Sequence, residues 1–165
     1  MKHLSVFVVA LYAVFAISNV ASLSDEWTTF KEGQYIMKIL SGPATWLDAV
    51  KQCREQGYEL LTVESQAEED EVLAVFGPYI TNRLWLGGTD LGKEGSFYWY
   101  STGAPLNFTA WHAGEPSGNN PSNGVKEDCL QYQNKNGVIL WNDSVCENEY
   151  NFICELYDPC ARRPF

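Results

Sequence analysis

Histidine is scarce in this sequence, which has two among its 165 residues, His3 and His112. His3 lies at the start of the chain, so His112 has no partner for a zinc-binding histidine pair and no nucleophile beside it. No Gly-x-Ser-x-Gly, His-Glu-x-x-His or phosphate-binding glycine motif occurs either. These absences predict that the protein is not an enzyme and that His112 is a structural or solvent-facing loop residue.

Basic residues are also few: 11 Lys and Arg against 21 Asp and Glu give a formal net charge of −10. No cluster of Lys or Arg interrupts this acidic composition, so nucleic-acid binding is not expected. An aromatic content of 14% is too high for a disordered acidic chain. The composition therefore indicates a folded, acidic domain.

One apolar run is long, residues 4–17, and it follows a short basic start and precedes small residues. It is shorter than the roughly 20 residues that a transmembrane helix needs, and polar residues follow soon after it. The pattern predicts a cleaved signal peptide and a secreted, extracellular protein without a membrane span. The predicted organisation is a signal peptide (1–22), an N-terminal lead-in (23–34), a single domain (35–156) and a C-terminal tail (157–165).

Five cysteines occur in the sequence, which in a secreted chain indicates disulfides. Cys129 and Cys146 bracket an acidic segment that they could clamp, and Cys53, on a predicted helix, could reach Cys154. One cysteine must remain outside two such pairs. The count alone leaves the pairing open.

The spacing of apolar residues predicts an α+β domain. A first helix runs from Trp46 to Cys53 and ends at Gly57, with Ser41-Gly42-Pro43 as its predicted cap. A capping box, Ser65-Gln66-Ala67-Glu68, opens a second helix that ends at Gly77-Pro78. Short strands are predicted at residues 35–40, 84–87, 97–100, 129–132, 138–141 and 151–155. The long loops within residues 101–126 are expected to be functional.

Oxygen-bearing side chains are concentrated in the last third of the chain. Carboxylate, amide and carbonyl oxygens are the ligands that Ca²⁺ takes in proteins. We therefore predict a calcium site built from three motifs, Glu115-Pro116-Ser117, Glu127-Asp128-Cys129 and Trp141-Asn142-Asp143.

These motifs resemble the C-type lectin-like domain family over about residues 35–155, as do Trp46 to Cys53, Leu84-Trp85-Leu86-Gly87 and Phe152-Ile153-Cys154-Glu155. The resemblance implies two helices flanking small antiparallel sheets, with a long calcium-binding loop. It also implies the disulfides Cys53–Cys154 and Cys129–Cys146, in the short form without an extra N-terminal disulfide. Cys160 is then left over, and we expect it to link a dimer or a partner lectin chain.

The resemblance also implies the ligands. Glu115, Glu127, Asn142 and Asp143 match the family's principal calcium and sugar ligands, and a cis peptide bond is expected before Pro116. Ser117 stands where the family has Asn or Asp, so we expect weaker coordination there or a substitute such as Asn119, Asn120 or water. An auxiliary calcium position is suggested by four acids, Asp90, Glu94, Glu127 and Asp128.

The implied function is calcium-dependent binding of glycans on microbial or host surfaces, in innate immunity or in a secretion, as in soluble invertebrate lectins. An acid at Glu115 goes with mannose- or fucose-type sugars in the family. The alternative is a domain of this kind that binds protein without sugar. We expect Trp85, Trp111 and Trp141 to pack in the core.

Two glycosylation sequons occur, beginning at Asn107 and at Asn142. The first lies in a predicted surface loop and is expected to be used. A glycan at Asn142 would destroy the calcium site, so we expect Asn142 to be unmodified.

Overall fold

The computed structural model describes residues 28–30, 35–120 and 122–156, with side chains from residue 42 onward. The predicted signal peptide, most of the lead-in and the tail that carries Cys160 lie outside the described residues. Neither α-helix of the described part is a candidate membrane span, since they have 10 and 11 residues.

The described residues form eight strands, two α-helices and one 3-10 turn. Most predicted strands are longer in the structure; β7, for example, continues past residue 141 to Ser144. The elements in chain order are β1 (Thr28–Phe30), β2 (Tyr35–Ala44), α1 (Trp46–Glu55), β3 (Glu59–Leu60), α2 (Gln66–Phe76), the 3-10 turn (Gly77–Tyr79), β4 (Arg83–Thr89), β5 (Tyr98–Trp99), β6 (Cys129–Lys135), β7 (Val138–Ser144) and β8 (Tyr150–Glu155).

One connected sheet contains these strands, in the order β1-β2-β8-β4-β6-β7, with β3 beside β8 and β5 beside β4. The pairings are antiparallel except that of β4 with β8, where Leu84 and Trp85 run parallel to Asn151 and Phe152. This parallel pairing joins the predicted small antiparallel sheets into one mixed sheet. The predicted α+β class is confirmed.

The core lies on both faces of the sheet, because side chains alternate along a strand. On β4, Leu84 and Leu86 belong to a buried cluster with α2, whereas Trp85 belongs to a second cluster with α1. On β8, Ile153 and Phe152 divide in the same way. Each helix therefore covers one face, and Trp85 is fully buried as expected.

The predicted cap of α1, Ser41-Gly42-Pro43, is wrong. Thr45 is the N-cap, and its Oγ1 accepts a hydrogen bond from the backbone N–H of Asp48 at 3.3 Å. The three predicted cap residues belong to β2, whose pairing with β8 resumes at Ala44 opposite Tyr150 after an irregularity. These residues therefore belong to the strand, and the helix begins only after Thr45.

The start of α2 is as predicted. Ser65 is the N-cap, and its Oγ accepts a hydrogen bond from the N–H of Glu68 at 3.3 Å. The carboxylate of Glu68 accepts a hydrogen bond from the N–H of Glu64 at 2.8 Å. The helix then contributes Val72 and Phe76 to the core.

Two disulfides tie the elements together, and they are the pairs that the resemblance implies. Cys53–Cys154 joins α1 to β8, and Cys129–Cys146 joins the start of β6 to the segment after β7. Their sequence separations are 101 and 17 residues. By chain entropy, loops of these sizes contribute ~4.7 and ~3 kcal/mol.

Candidate functional site

Asn142 and Asp143, two of the predicted ligands, lie in β7 directly after Trp141. Trp141 is completely buried. The rings of Trp99 and Trp111 pack edge-on against it, with centroid distances of 5.9 and 5.8 Å. The core role expected for Trp141 is confirmed, and it fixes the strand that carries Asn142 and Asp143, whereas Trp111 is partly buried against the same core cluster.

The loop that carries Glu115 runs alongside β7. The backbone N–H of Trp141 donates to the oxygen of Ala110 at 2.7 Å, and the N–H of His112 donates to the oxygen of Trp141 at 2.8 Å. The oxygen of His112 then accepts the N–H of Glu115 at 3.0 Å. The imidazole of His112 is buried with Nε2 2.8 Å from the oxygen of Gln133, a structural role as predicted.

The carboxylate of Asp143 accepts hydrogen bonds from the backbone of the same loop. Its Oδ1 accepts the N–H of Ser117 at 3.0 Å, and its Oδ2 accepts the N–H of Gly118 at 2.6 Å. The Glu115–Pro116 peptide bond just before them is cis, as the resemblance implied. Asp143 is completely buried and thus holds the start of the long loop against β7.

The long loop after Ser117, whose path the sequence did not predict, folds back as a hairpin. The N–H of Glu127 donates to the oxygen of Gly118 at 3.2 Å, and the N–H of Asn120 donates to the oxygen of Val125 at 2.8 Å. Asn119, one of the suggested substitute ligands, has an exposed side chain. The hairpin returns the chain so that Glu127 lies beside Ser117.

The carboxylate of Glu127 is held by two side chains. Its Oε2 accepts a hydrogen bond from Oγ of Ser117 at 3.1 Å, and its Oε1 accepts one from Nδ2 of Asn120 at 3.4 Å. Burial raises the pKa of Glu127, the bond from Ser117 lowers it, and the charges of Asp143 and Glu115 raise it. Asp143 and Glu115 are therefore both close enough to Glu127 to repel its charge.

Two oxygens of the predicted calcium ligands are buried: Oε2 of Glu115 and Oδ1 of Asn142. Neither has a hydrogen-bond partner within the described residues. The other oxygen of Glu115, Oε1, is 3.7 Å from Nζ of Lys135. A buried polar atom without a partner is costly. Because Ca²⁺ takes carboxylate and amide oxygens, this donor set fits a hard cation.

Three of the four acids predicted for the auxiliary position, Asp90, Glu94 and Asp128, have carboxylate oxygens within 4.8 Å of one another. Oδ1 of the buried Asp90 has no hydrogen-bond partner in the part of the chain that the structure describes. Burial is the main cause that raises the pKa of Asp90 and of Asp128. Nζ of Lys126 lies 3.4 Å from Oε2 of Glu94. Glu127, the fourth predicted acid, does not belong to the group of carboxylates within 4.8 Å of one another.

Sequence reasoning missed Lys135, although it contacts Glu115. Lys135 ends β6, and Asn136 and Gly137 turn the chain into β7 with φ values of 56° and 87°. An Asn-Gly pair is typical of a two-residue hairpin turn. That pair was the signal that placed Lys135 at the joined end of the two strands.

A buried acid beneath the site was also missed. Glu69 of α2 is 2% exposed, and its Oε2 accepts hydrogen bonds from the hydroxyl of Tyr132 at 2.5 Å and from Nε1 of Trp141 at 3.3 Å. Burial raises the pKa of Glu69 to about 7, while these two hydrogen bonds lower it. The sequence held no signal for this contact, because acids in the first turn of a helix are common in any case.

The two sequons differ in accessibility. Asn107 is exposed in the loop between β5 and β6, whereas Asn142 is buried in β7. Glycosylation at Asn107 stays a prediction.

The chain matches a known family and its members. Residues 42–156 match the model of the Lectin C-type domain. Salivary C-type lectin 2 of Aedes albopictus is 34% identical over 120 residues, which are 68% of this chain and 77% of that protein. A C-type lectin mannose-binding isoform of Oxyuranus scutellatus is 27% identical over 158 residues, 93% of this chain and 97% of the relative.

A solved structure agrees with this match. The C-type lectin domain of murine dendritic cell inhibitory receptor 2, in complex with an N-glycan, has a TM-score of 0.67 and 27% identity. The similarity covers 81% of this chain and 98% of that one. The chain belongs to the C-type lectin domain family.

Proposed function

We propose that this protein is a secreted, calcium-dependent lectin that binds carbohydrate through Glu115, Ser117, Glu127, Asn142 and Asp143. The observation that carries the proposal is the convergence of these side chains. Burial and, to a smaller extent, the charges of Asp143 and Glu115 raise the pKa of Glu127, and oxygens of Glu115 and Asn142 are buried without a hydrogen-bond partner in the described residues. A cation would relieve both the repulsion and the missing contacts.

The residues present would hold Ca²⁺ by carboxylate oxygens of Glu115, Glu127 and Asp143 and the amide oxygen of Asn142. When bound, the ion supplies positive charge and open positions for two neighbouring sugar hydroxyls. The carboxylates of Glu115 and Glu127 then accept hydrogen bonds from those hydroxyls, and the amide of Asn142 donates one. The arrangement of acceptors and donors selects the hydroxyl geometry that binds.

The proposed sugar class is mannose or fucose, with weak binding. In the family, an acid before the proline and an amide after it go with these sugars; Glu115 supplies the acid, and the neutral Ser117 stands in place of the amide. Ser117 donates its hydroxyl to Glu127, so it offers less to a sugar than a longer amide does. We expect about one hydrogen bond less, of order 1 kcal/mol.

A second Ca²⁺ is proposed at Asp90, Glu94 and Asp128, without Glu127, which the sequence had suggested as a fourth ligand. The close spacing of the three carboxylates and the unpartnered Oδ1 of Asp90 among the described residues support it. This ion would hold the base of the hairpin rather than contact sugar.

The proposed partners are glycans on microbial or host surfaces, bound in innate immunity or in a secretion. The name of the Aedes albopictus relative describes a salivary protein, and the name of the Oxyuranus scutellatus relative describes mannose binding. The first name supports a secreted lectin, and the second supports a lectin of the mannose type.

The test is retention of the purified secreted protein on immobilised mannose in millimolar calcium, followed by elution with a chelator. The matched variants are Glu127→Gln, which alters the site, and Glu149→Gln, an exposed acid near the start of β8. We expect the wild type and Glu149→Gln to be retained and released by the chelator, and Glu127→Gln to flow through. Equal behaviour of all three with and without calcium would contradict the proposal and favour sugar-independent protein binding.

A further inference from the structure

The ion pair between Lys135 and Glu115 joins two parts of the site that are distant in sequence. Nζ of Lys135 lies 3.7 Å from Oε1 of Glu115, and the two side chains are 45% and 16% exposed. The carboxylate is therefore largely withdrawn from water, whereas about half of the lysine remains in it. A pair with one largely buried member is screened less by salt than a surface pair.

The carboxylates of the site differ in what restrains them. Glu127 is held by the side chains of Ser117 and Asn120, and Asp143 is held by backbone N–H groups. For Glu115, the polar side-chain contact among the described residues is Lys135 on Oε1, and Oε2 is buried without a partner there. Lys135 therefore fixes one oxygen of Glu115 and leaves the other available.

This restraint has a thermodynamic effect on ligand binding. A glutamate side chain has several rotatable bonds, and it loses rotamer freedom when a ligand fixes it. A contact that already holds one oxygen of the carboxylate reduces the side-chain entropy that is lost when the ligand binds. Outer contacts of this kind orient the ligands of metal sites.

We propose that Lys135 is a positioning residue, whose ammonium holds Oε1 of Glu115 so that Oε2 is directed to the calcium and to a sugar hydroxyl. This inference rests on the proposed function, because it assigns a role within the same site. The ammonium also repels a nearby cation. The inference requires the positioning effect to outweigh this repulsion, and the direction in which Lys135→Met changes the calcium affinity tests that balance.

Three variants of the full secreted protein test this role. Lys135→Met removes the charge at similar length, and Lys135→Arg retains a cation that can hold a carboxylate. Lys51→Met is the matched control, because Lys51 lies 3.7 Å from Glu55 on the exposed face of α1. For each protein, calorimetric titration gives the calcium affinity, and a second titration at saturating calcium gives the mannose affinity. Melting curves in chelator report the stability of the ion-free fold.

We expect Lys135→Met to weaken calcium binding about tenfold, the lower end of the effect of outer-shell partners, and to weaken mannose binding further at saturating calcium. Lys135→Arg should restore most of both affinities, Lys51→Met should change neither, and the ion-free melting temperature should stay the same in all of them. Unchanged or tighter calcium binding by Lys135→Met would overturn the inference and show that Lys135 competes with the ion.

The outcomes also separate this inference from the proposed function. A wild type that binds calcium but no mannose would contradict mannose binding, while the calcium affinities of the variants would still decide the role of Lys135. A wild type that binds mannose with a Lys135→Met variant equal to it would overturn the inference alone. A wild type that binds no calcium would overturn both.

Discussion

The hydroxyl of Ser117 donates a hydrogen bond to Oε2 of Glu127 at 3.1 Å. This bond crosses the base of the hairpin, and it joins the residue that departs from the family pattern to a principal acid of the site. The hydroxyl hydrogen of Ser117 is therefore engaged by Glu127, and it occupies a carboxylate oxygen that could otherwise accept a hydrogen bond from a sugar hydroxyl. Specificity at this position depends on what residue 117 can reach.

Lengthening that side chain should strengthen sugar binding. Ser117→Asn provides an amide that reaches farther, and we expect mannose affinity to rise about fivefold, the equivalent of one hydrogen bond of about 1 kcal/mol. Ser122→Asn, at an exposed position of the same hairpin, is the control. Titration of mannose at saturating calcium measures the effect, and equal gains in both variants would contradict a specific role of residue 117.

Exchanging the positions of acid and neutral residue should change the sugar class. The double variant Glu115→Gln with Ser117→Asp moves the acid from before Pro116 to after it, so the acceptors face a different pair of hydroxyls. We expect the ratio of galactose to mannose affinity to increase. If the wild type itself passes through a mannose column but is held on galactose, the hairpin after Ser117, and not Glu115, sets the specificity.

Calcium should stabilise the fold. An ion that binds the folded state and not the unfolded one raises stability with its concentration, and extracellular sites typically have dissociation constants of roughly 10⁻⁴ to 10⁻³ M. We expect the melting temperature of the wild type to rise in millimolar calcium and that of Glu127→Ala to rise much less. Magnesium at the same concentration is the control for ionic strength. A wild-type melting curve that does not respond to calcium contradicts this prediction.

The buried Glu69 should make stability depend on pH. Its pKa is raised from 4.5 to about 7, mainly by burial, so the folded state favours the protonated form. The contribution of Glu69 to the free energy of unfolding is fully present below about pH 4.5 and is lost as the pH rises to about 7. The upper limit of this contribution is of order ~3 kcal/mol.

Denaturant unfolding of Glu69→Gln between pH 5 and pH 8, in chelator, checks this, with Glu55→Gln on the exposed face of α1 as control. We expect the free energy of unfolding to fall with pH less steeply in Glu69→Gln than in the wild type. The pKa values of Asp90, Glu127 and Asp128 are also raised, but these groups are common to both proteins and cancel in the difference. Parallel curves would show that Glu69 does not titrate as expected.

Cys160 should form an intermolecular disulfide. The disulfides Cys53–Cys154 and Cys129–Cys146 account for the other four cysteines, and Cys160 lies in the tail outside the described residues. A non-reducing gel of the secreted protein is expected to show a dimer that Cys160→Ser abolishes. A monomer in both lanes would count against the linkage.

The proposed ligands could be named from the sequence because they lie next to recognisable neighbours. Trp141 alternates into the core, and this anchors Asn142 and Asp143 on β7. Glu115 precedes a proline. Such local patterns are visible without knowledge of the fold.

Contacts between distant segments were not accessible in this way. The hairpin between Ser117 and Glu127 has no apolar periodicity that predicts its path. The roles of Lys135 and Glu69 depend on partners brought close only by the folded sheet. The cap of α1 was misplaced for the same reason, because the pairing of β2 with the distant strand β8, for example Ala44 with Tyr150, overrode a local signal.

The pairing of β1, β2 and β8 has a consequence for assembly. Thr28 pairs with Met37, and Met37 pairs with Glu155, so the two ends of the described domain are separated by two strand spacings, roughly 10 Å. These strands lie at the opposite end of the sheet order from β7, which carries Asn142 and Asp143. Copies linked near these ends would be joined away from β7, and several weak contacts to one repetitive surface would then combine into high avidity.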